Sequence, residues 1–171
     1  GHVLERVLRN YVKQVDILIT EGTMLGRKNE AVLLESDIEN NVVEALRKSK
    51  YVYALCSSTD IDRLRALHNA CKATGRTFVC DRYQYSVLDI FNKCTLSERY
   101  KFNRVFKLIN YKTKNVFQKL LHTGFLVMVR PSSYSRIKRM MCTYNDQPSA
   151  LIYSMWQGYH NGTQEQINED I

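Results

Sequence analysis

The chain has 171 residues, 44% of them hydrophobic; this length buries a sizeable core and suits one domain rather than two. Its formal charge is +8, no apolar run approaches the roughly 20 residues needed to span a bilayer, and the amphipathic start is unlike a secretory signal. The five cysteines, Cys56, Cys71, Cys80, Cys94 and Cys142, are odd in number and contain no Cys-x-x-Cys pair, which argues against a disulfide framework or a zinc ribbon and for a reducing cytoplasm.

In chain order, Leu4 to Val12 reads as a helix and Val15 to Ile19 as a buried strand, followed by a turn on Gly22 and Gly26. Glu30 to Lys48 is predicted to be a second helix, with Ala31, Leu34, Ile38, Val42 and Ala45 on one stripe. Tyr51 to Cys56 reads as a strand. Thr59 or Asp60 then caps a third helix whose Ile61, Leu64, Leu67 and Cys71 face inward and which stops at Gly75. Thr77 to Cys80 is a short strand, Tyr83 to Asn92 a helix, Phe125 to Val129 a strand and Ser149 to Met155 the last strand. Pro131 and Pro148, the two prolines, each lie next to a strand. The tail from Asn161 is polar and acidic at its end. Alternating strands and helices of this kind predict an α/β fold, a three-layer Rossmann-like sandwich with a mainly parallel sheet flanked by helices.

Such sheets bind ligands at the carboxyl ends of their strands. Glu21 falls at one of these ends as a candidate general base, metal neighbour or hydrogen-bond acceptor; pairing with Arg27 or bonding to loop amides is the plainer role. Ser57, Ser58 and Thr59 join a strand to a helix start, where free amides and hydroxyls can hold a phosphate or simply cap the helix. Arg63, a cation in a first helical turn, is mildly unfavourable there and implies a partner: Asp60, another loop carboxylate such as Glu21, or substrate phosphate. Asp81 ends the next strand in the same way. Arg76 either binds substrate or bonds helix-end carbonyls.

Charge is distributed unevenly. No Asp or Glu occurs between Arg99 and Tyr144, a stretch holding Arg99, Lys101, Arg104, Lys107, Lys112, Lys114, Lys119, Arg130, Arg136, Lys138 and Arg139 with interleaved aromatics. Lysine and arginine neutralise phosphates without regard to sequence, and aromatic faces stack unpaired bases. Phe102, Phe106 and Phe125 fall at core-like spacing; Tyr111 and Tyr134 lie in polar surroundings and suit stacking. Trp156, the single tryptophan, suits either base stacking or burial against a further domain.

The blocks Val15-Asp-Ile-Leu-Ile-Thr-Glu-Gly-Thr-Met-Leu-Gly-Arg27, Cys56-Ser-Ser-Thr-Asp-Ile-Asp-Arg-Leu64, Thr74-Gly-Arg-Thr-Phe-Val-Cys-Asp81, Val127-Met-Val-Arg-Pro131 and Leu151-Ile-Tyr-Ser-Met-Trp-Gln-Gly-Tyr159 together resemble the β-CASP branch of the metallo-β-lactamase superfamily, which includes ribonuclease J and other RNA-processing nucleases. The resemblance runs from Val15 to Tyr159. It implies that Glu21 is the acid of the first β-CASP motif, in a supporting catalytic role, and that Ser57, Ser58, Thr59, Arg63, Arg27, Arg76, Arg130, Tyr134, Arg136, Lys138 and Trp156 line the substrate path. That superfamily binds two zinc-like ions through a His-x-His-x-Asp-His signature and further ligands. The four histidines here, His2, His68, His122 and His160, are too far apart to form it, and the family's later histidine motifs are absent.

The resemblance therefore implies the cap of a larger hydrolase: residues 1–27 border a metallo-β-lactamase core, 28–160 form the cap and 161–171 a polar tail. The expected role is substrate binding for a metal-dependent nuclease, RNA-directed and exonucleolytic, catalytically incomplete by itself. Expected partners are single-stranded nucleic acid, RNA favoured, and the core of the same parent, with a homodimer left open and no membrane. The expected site is the cytoplasm, and no cofactor is expected in this chain beyond the parent's two ions. The alternative is a non-catalytic α/β nucleotide-binding or protein-interaction module. It is disfavoured because no G-x-G-x-x-G or G-x-x-x-x-G-K-[ST] loop and no triple-acid pocket is present.

Overall fold

The computed structural model describes residues 2–12, 16–17, 33–108 and 113–155. The chain divides into two compact units, Gly1–Val32 and Leu33–Ile171. In the first, helix α1 spans His2–Tyr11, with Glu5 in its first turn and Arg9 in its last, as the helix dipole favours. Only Asp16 and Ile17 are described of the strand expected over Val15 to Ile19. Asp16 is in a bend, and Ile17 is outside any strand and 80% exposed. The rest of that run, Val15, Leu18 and Ile19, lies outside the described residues. Gly22 and Gly26 lie outside the described residues.

The second unit is an α/β sandwich. Its elements run α2 (Glu35–Lys48), β1 (Tyr51–Cys56), α3 (Ile61–Thr74), β2 (Thr77–Cys80), α4 (Arg82–Cys94), β3 (Phe106–Lys107), α5 (Lys114–Thr123), β4 (Phe125–Val129), α6 (Tyr134–Thr143) and β5 (Ser149–Ser154). The five strands form one sheet of order β3-β2-β4-β1-β5, and every pairing is parallel. Tyr51 stands opposite Phe125 on one side and Ser149 on the other, which fixes the register of β1 between β4 and β5.

Period-two alternation divides the core into two faces. Val52, Ala54, Cys56, Phe78, Cys80, Leu126 and Met128 meet Val42 and Leu46 of α2, Leu64 and Leu67 of α3 and Leu88 of α4. Tyr51, Tyr53, Leu55, Val79, Phe125, Val127 and Val129 meet Leu120 of α5 and Ile137 and Met140 of α6. Strands buried on both faces are apolar throughout, as β1 and β4 are. The chain moves from β1 to β2 to β3 with α3 and α4 on one face, then reverses to β4 and β5 with α5 and α6 on the other. Direction and face reverse together, so all four crossovers have the same hand.

Helix α2 begins at Glu35, not near Glu30. The Asp37 carboxylate accepts the Leu34 N–H at 3.2 Å, making Leu34 the cap, and Leu34 is 67% exposed rather than part of the stripe. The buried stripe is Val42 and Leu46, with Ile38 packed beside them. Asp60, not Thr59, caps α3 by accepting the Arg63 N–H, and Gly75 ends that helix at φ +69°. Phe102 and Phe125 are core, and Phe106 packs against it.

Candidate nucleic-acid interface

The loops after β1, β2 and β4 leave the carboxyl edge of the sheet in diverging directions. Those after β1 and β2 lead to α3 and α4 on one face, while the loop after β4, which lies between them, leads to α6 on the other. That divergence makes the crevice where open α/β sheets take ligands. Ser57 to Asp60 follow β1, Asp81 follows β2, Arg130 follows β4 and Ser154 ends β5.

Around β1 the polar groups largely satisfy one another. Ser57 Oγ lies 3.1 Å from Thr59 Oγ1 and accepts the Thr59 N–H. Ser58 Oγ accepts from Gln84 Nε2 at 3.3 Å. Gln84, in the first turn of α4, is 1% exposed, and its Oε1 has no hydrogen-bond partner among the described residues.

Arg63 has a different carboxylate partner from those expected. Asp60 takes the backbone N–H of Arg63, whereas the guanidinium forks onto Glu35, Nε to Oε2 and Nη2 to Oε1, both at 3.1 Å. Nη1 donates to Ser154 Oγ. Desolvation works against the Arg63 charge, but the bonds and attraction to Glu35 outweigh it and hold the guanidinium above its ordinary value. A fork of this kind is among the stronger polar contacts available.

On the other side of the crevice Asp81 is held from both directions. Its Oδ1 accepts the Gln84 N–H at 2.9 Å as the cap of α4, and its Oδ2 accepts Arg130 Nε at 2.8 Å and also Nη2. The same guanidinium lies 4.9 Å from the centroid of the Tyr83 ring. Arg63 and Arg130 are thus each matched by a carboxylate. Tyr134 opens α6 half-buried, with Lys138 Nζ 5.7 Å from its ring centroid. Arg136 and Lys138 are exposed.

Arg76 is not brought to this crevice. It precedes β2, at the amino end of the sheet, and its Nε and Nη2 donate to the Leu46 carbonyl while Nη1 donates to that of Thr123. It joins the last turns of α2 and α5, the helix-end role the sequence allowed. Glu21, Arg27, Tyr111 and Trp156 lie outside the described residues.

The described residues include no group of three or more His, Cys, Asp or Glu that could hold a metal ion. His68 is buried, donates from Nε2 to the Asn103 carbonyl at 2.7 Å and packs edge-on to Phe78. The two zinc-like ions implied by the resemblance therefore find no ligand set among these residues. Burial also pushes the Cys56 and Cys80 thiols up to about 12 and raises that of Cys71, which keeps them poor nucleophiles.

The sequence reading missed Glu35, Tyr83, Gln84 and Ser154. For Tyr83 a signal existed: it stands in the first turn of a helix that starts at a strand's carboxyl end, as Arg63 does. Glu35 had none, because the expected helix ran through it. No helix among the described residues is long and apolar enough to cross a membrane. No protein-family model matches the chain, and no curated protein matches it.

Proposed function

We propose that this chain is the substrate-gripping cap of a β-CASP-type, metal-dependent nuclease acting on single-stranded RNA in the cytoplasm. The observation that carries the reading is the separation of charge between the two helix layers. The α5–α6 layer exposes Lys114, Lys119, Arg136, Lys138 and Arg139, and the sequence from Arg99 to Asn145 contains no acid to offset them. The α2–α4 layer is mixed, carrying Glu35, Asp37, Glu39, Glu44, Asp62 and Asp89 among its cations. A one-signed face attracts and orients a polyanion. In this reading the α5–α6 layer holds the phosphate backbone, and the crevice receives the strand. Hydrolysis and its two zinc-like ions are assigned to the metallo-β-lactamase core of the parent.

Fluorescence titration of a single-stranded oligoribonucleotide across a salt series tests this. Five phosphate contacts, at about 0.7 per phosphate for single strands, weaken binding about a hundredfold between about 50 and 200 mM salt. Joint replacement of Lys114, Lys119, Arg136, Lys138 and Arg139 by alanine removes most of the affinity and flattens that slope. Joint replacement of Arg47, Lys48, Lys72 and Lys93 on the other layer removes four positive charges and leaves binding near wild type. Salt-insensitive or absent binding by the wild-type chain overturns the reading and leaves a protein-interaction module.

A further inference from the structure

We infer that Tyr83 and Arg130 form a stacking platform for an unpaired base at the mouth of the crevice, separate from the cations that hold phosphates. The inference rests on the RNA-binding reading and specifies how that site divides its work. Three observations point the same way.

First, Tyr83 is 52% exposed although it is a large aromatic in the first turn of α4. Its neighbours on that helix, Gln84 and Leu88, are buried, so helical phase turns Tyr83 away from the core. Second, its ring is held from one side by the Arg130 guanidinium at 4.9 Å. Arg130 is itself anchored through Nε and Nη2 to Asp81 Oδ2, while Asp81 Oδ1 caps α4. Ring and guanidinium are thus preorganised by one carboxylate, which lowers the ordering cost of binding. Third, Asp81 already balances the Arg130 charge, so Arg130 is poorly suited to hold a backbone phosphate. What the pair still offers is a π surface polarised by a cation.

The neighbourhood selects the ligand. The chain passes from Arg130 through Pro131–Ser133 directly into Tyr134, whose ring lies beside Lys138, and so into the layer whose helices α5 and α6 carry no acid. A ligand that follows those cations and meets Tyr83 carries both negative charges and flat, exposed rings. Single-stranded nucleic acid meets both requirements, and base–aromatic stacking tolerates any base.

The test compares two oligomers of equal length on the whole chain, a single-stranded oligoribonucleotide and its abasic counterpart, at two salt concentrations. Wild type should bind the base-bearing oligomer about tenfold to a hundredfold more tightly. Tyr83→Ala should lose that preference while its affinity for the abasic oligomer and its salt slope stay unchanged; Tyr83→Trp should keep the preference. A half-exposed position tolerates both changes, and circular dichroism melting verifies that the variants are folded. Wild-type preference surviving in Tyr83→Ala, or equal losses for both oligomers, overturns the platform. Steep, salt-dependent wild-type binding with no preference between the oligomers overturns the platform alone, whereas no binding of either oligomer overturns the RNA reading beneath it.

Discussion

Gly124 ends α5 at φ +65° and leads straight into β4, a backbone region that costs a side-chain-bearing residue about 1–3 kcal/mol. A Cβ there would stand 2.5 Å from the Lys50 carbonyl oxygen and 2.8 Å from Arg76 Nη1. Gly75, at φ +69°, has nothing within 4 Å of the same position. Gly124→Ala is therefore expected to cost about 3–5 kcal/mol, backbone strain plus overpacking, and Gly75→Ala only about 1–2 kcal/mol; urea unfolding of the two variants gives the comparison. His68 supplies a pH dependence. Burial lowers its pKa below the ordinary 6.5, and of the weaker influences the Asn103 carbonyl raises it and Lys72 lowers it. Below 6.5 the unfolded chain takes up a proton that the native state resists, so stability falls as pH drops from 6.5 to the folded value and is unaffected above. Unfolding measured at about pH 7.5 and about pH 5 should show this loss in wild type and a smaller one in His68→Gln.

At the scale of elements, four strands of the sheet were readable because apolar runs are bounded by strong local punctuation, whereas the two-residue β3 carries no such signal. Asp60 and Gly75 bracket α3, Asp81 starts α4, and Tyr51–Cys56, Thr77–Cys80 and Phe125–Val129 coincide with β1, β2 and β4. The α5 and α6 helices went unassigned, although Val116, Phe117, Leu120 and Leu121, and likewise Ile137, Met140 and Met141, have helical spacing and pack against the core. Dense basic residues mask that spacing, because one helix can pack against the core and present a charged face at once. The start of α2 was misplaced because the deciding contact, Asp37 to the Leu34 amide, competes with apolar periodicity that continues upstream. Helix α2 also brings Glu35 to Arg63. Glu35→Gln should lower stability by about 1–3 kcal/mol, since it weakens a charged fork. It should also release the Arg63 cation, steepening the salt dependence of RNA binding by up to about 0.7. Calorimetry and the salt series measure the two effects; an unchanged slope would mean that Arg63 does not meet the strand.

For the whole molecule, the class of fold followed from alternation of segment types, but strand order did not. Nothing in Tyr51–Cys56 or Ser149–Ser154 announces that they pair; that is decided by crossovers of a single hand over a reversing path. The crevice shared this limit, since it joins Glu35 to Arg63 and Asp81 to Arg130 across long stretches of chain. The same topology sets conditions on synthesis. Strand β1 pairs with β4 and β5, both of which are made after it. At about 5–20 residues per second, Tyr51–Cys56 waits on the order of ten seconds for its first strand partner. Throughout that time a wholly apolar segment has both backbone edges unpaired, so a strand fully shielded from water in the finished protein is the one a growing chain must protect longest.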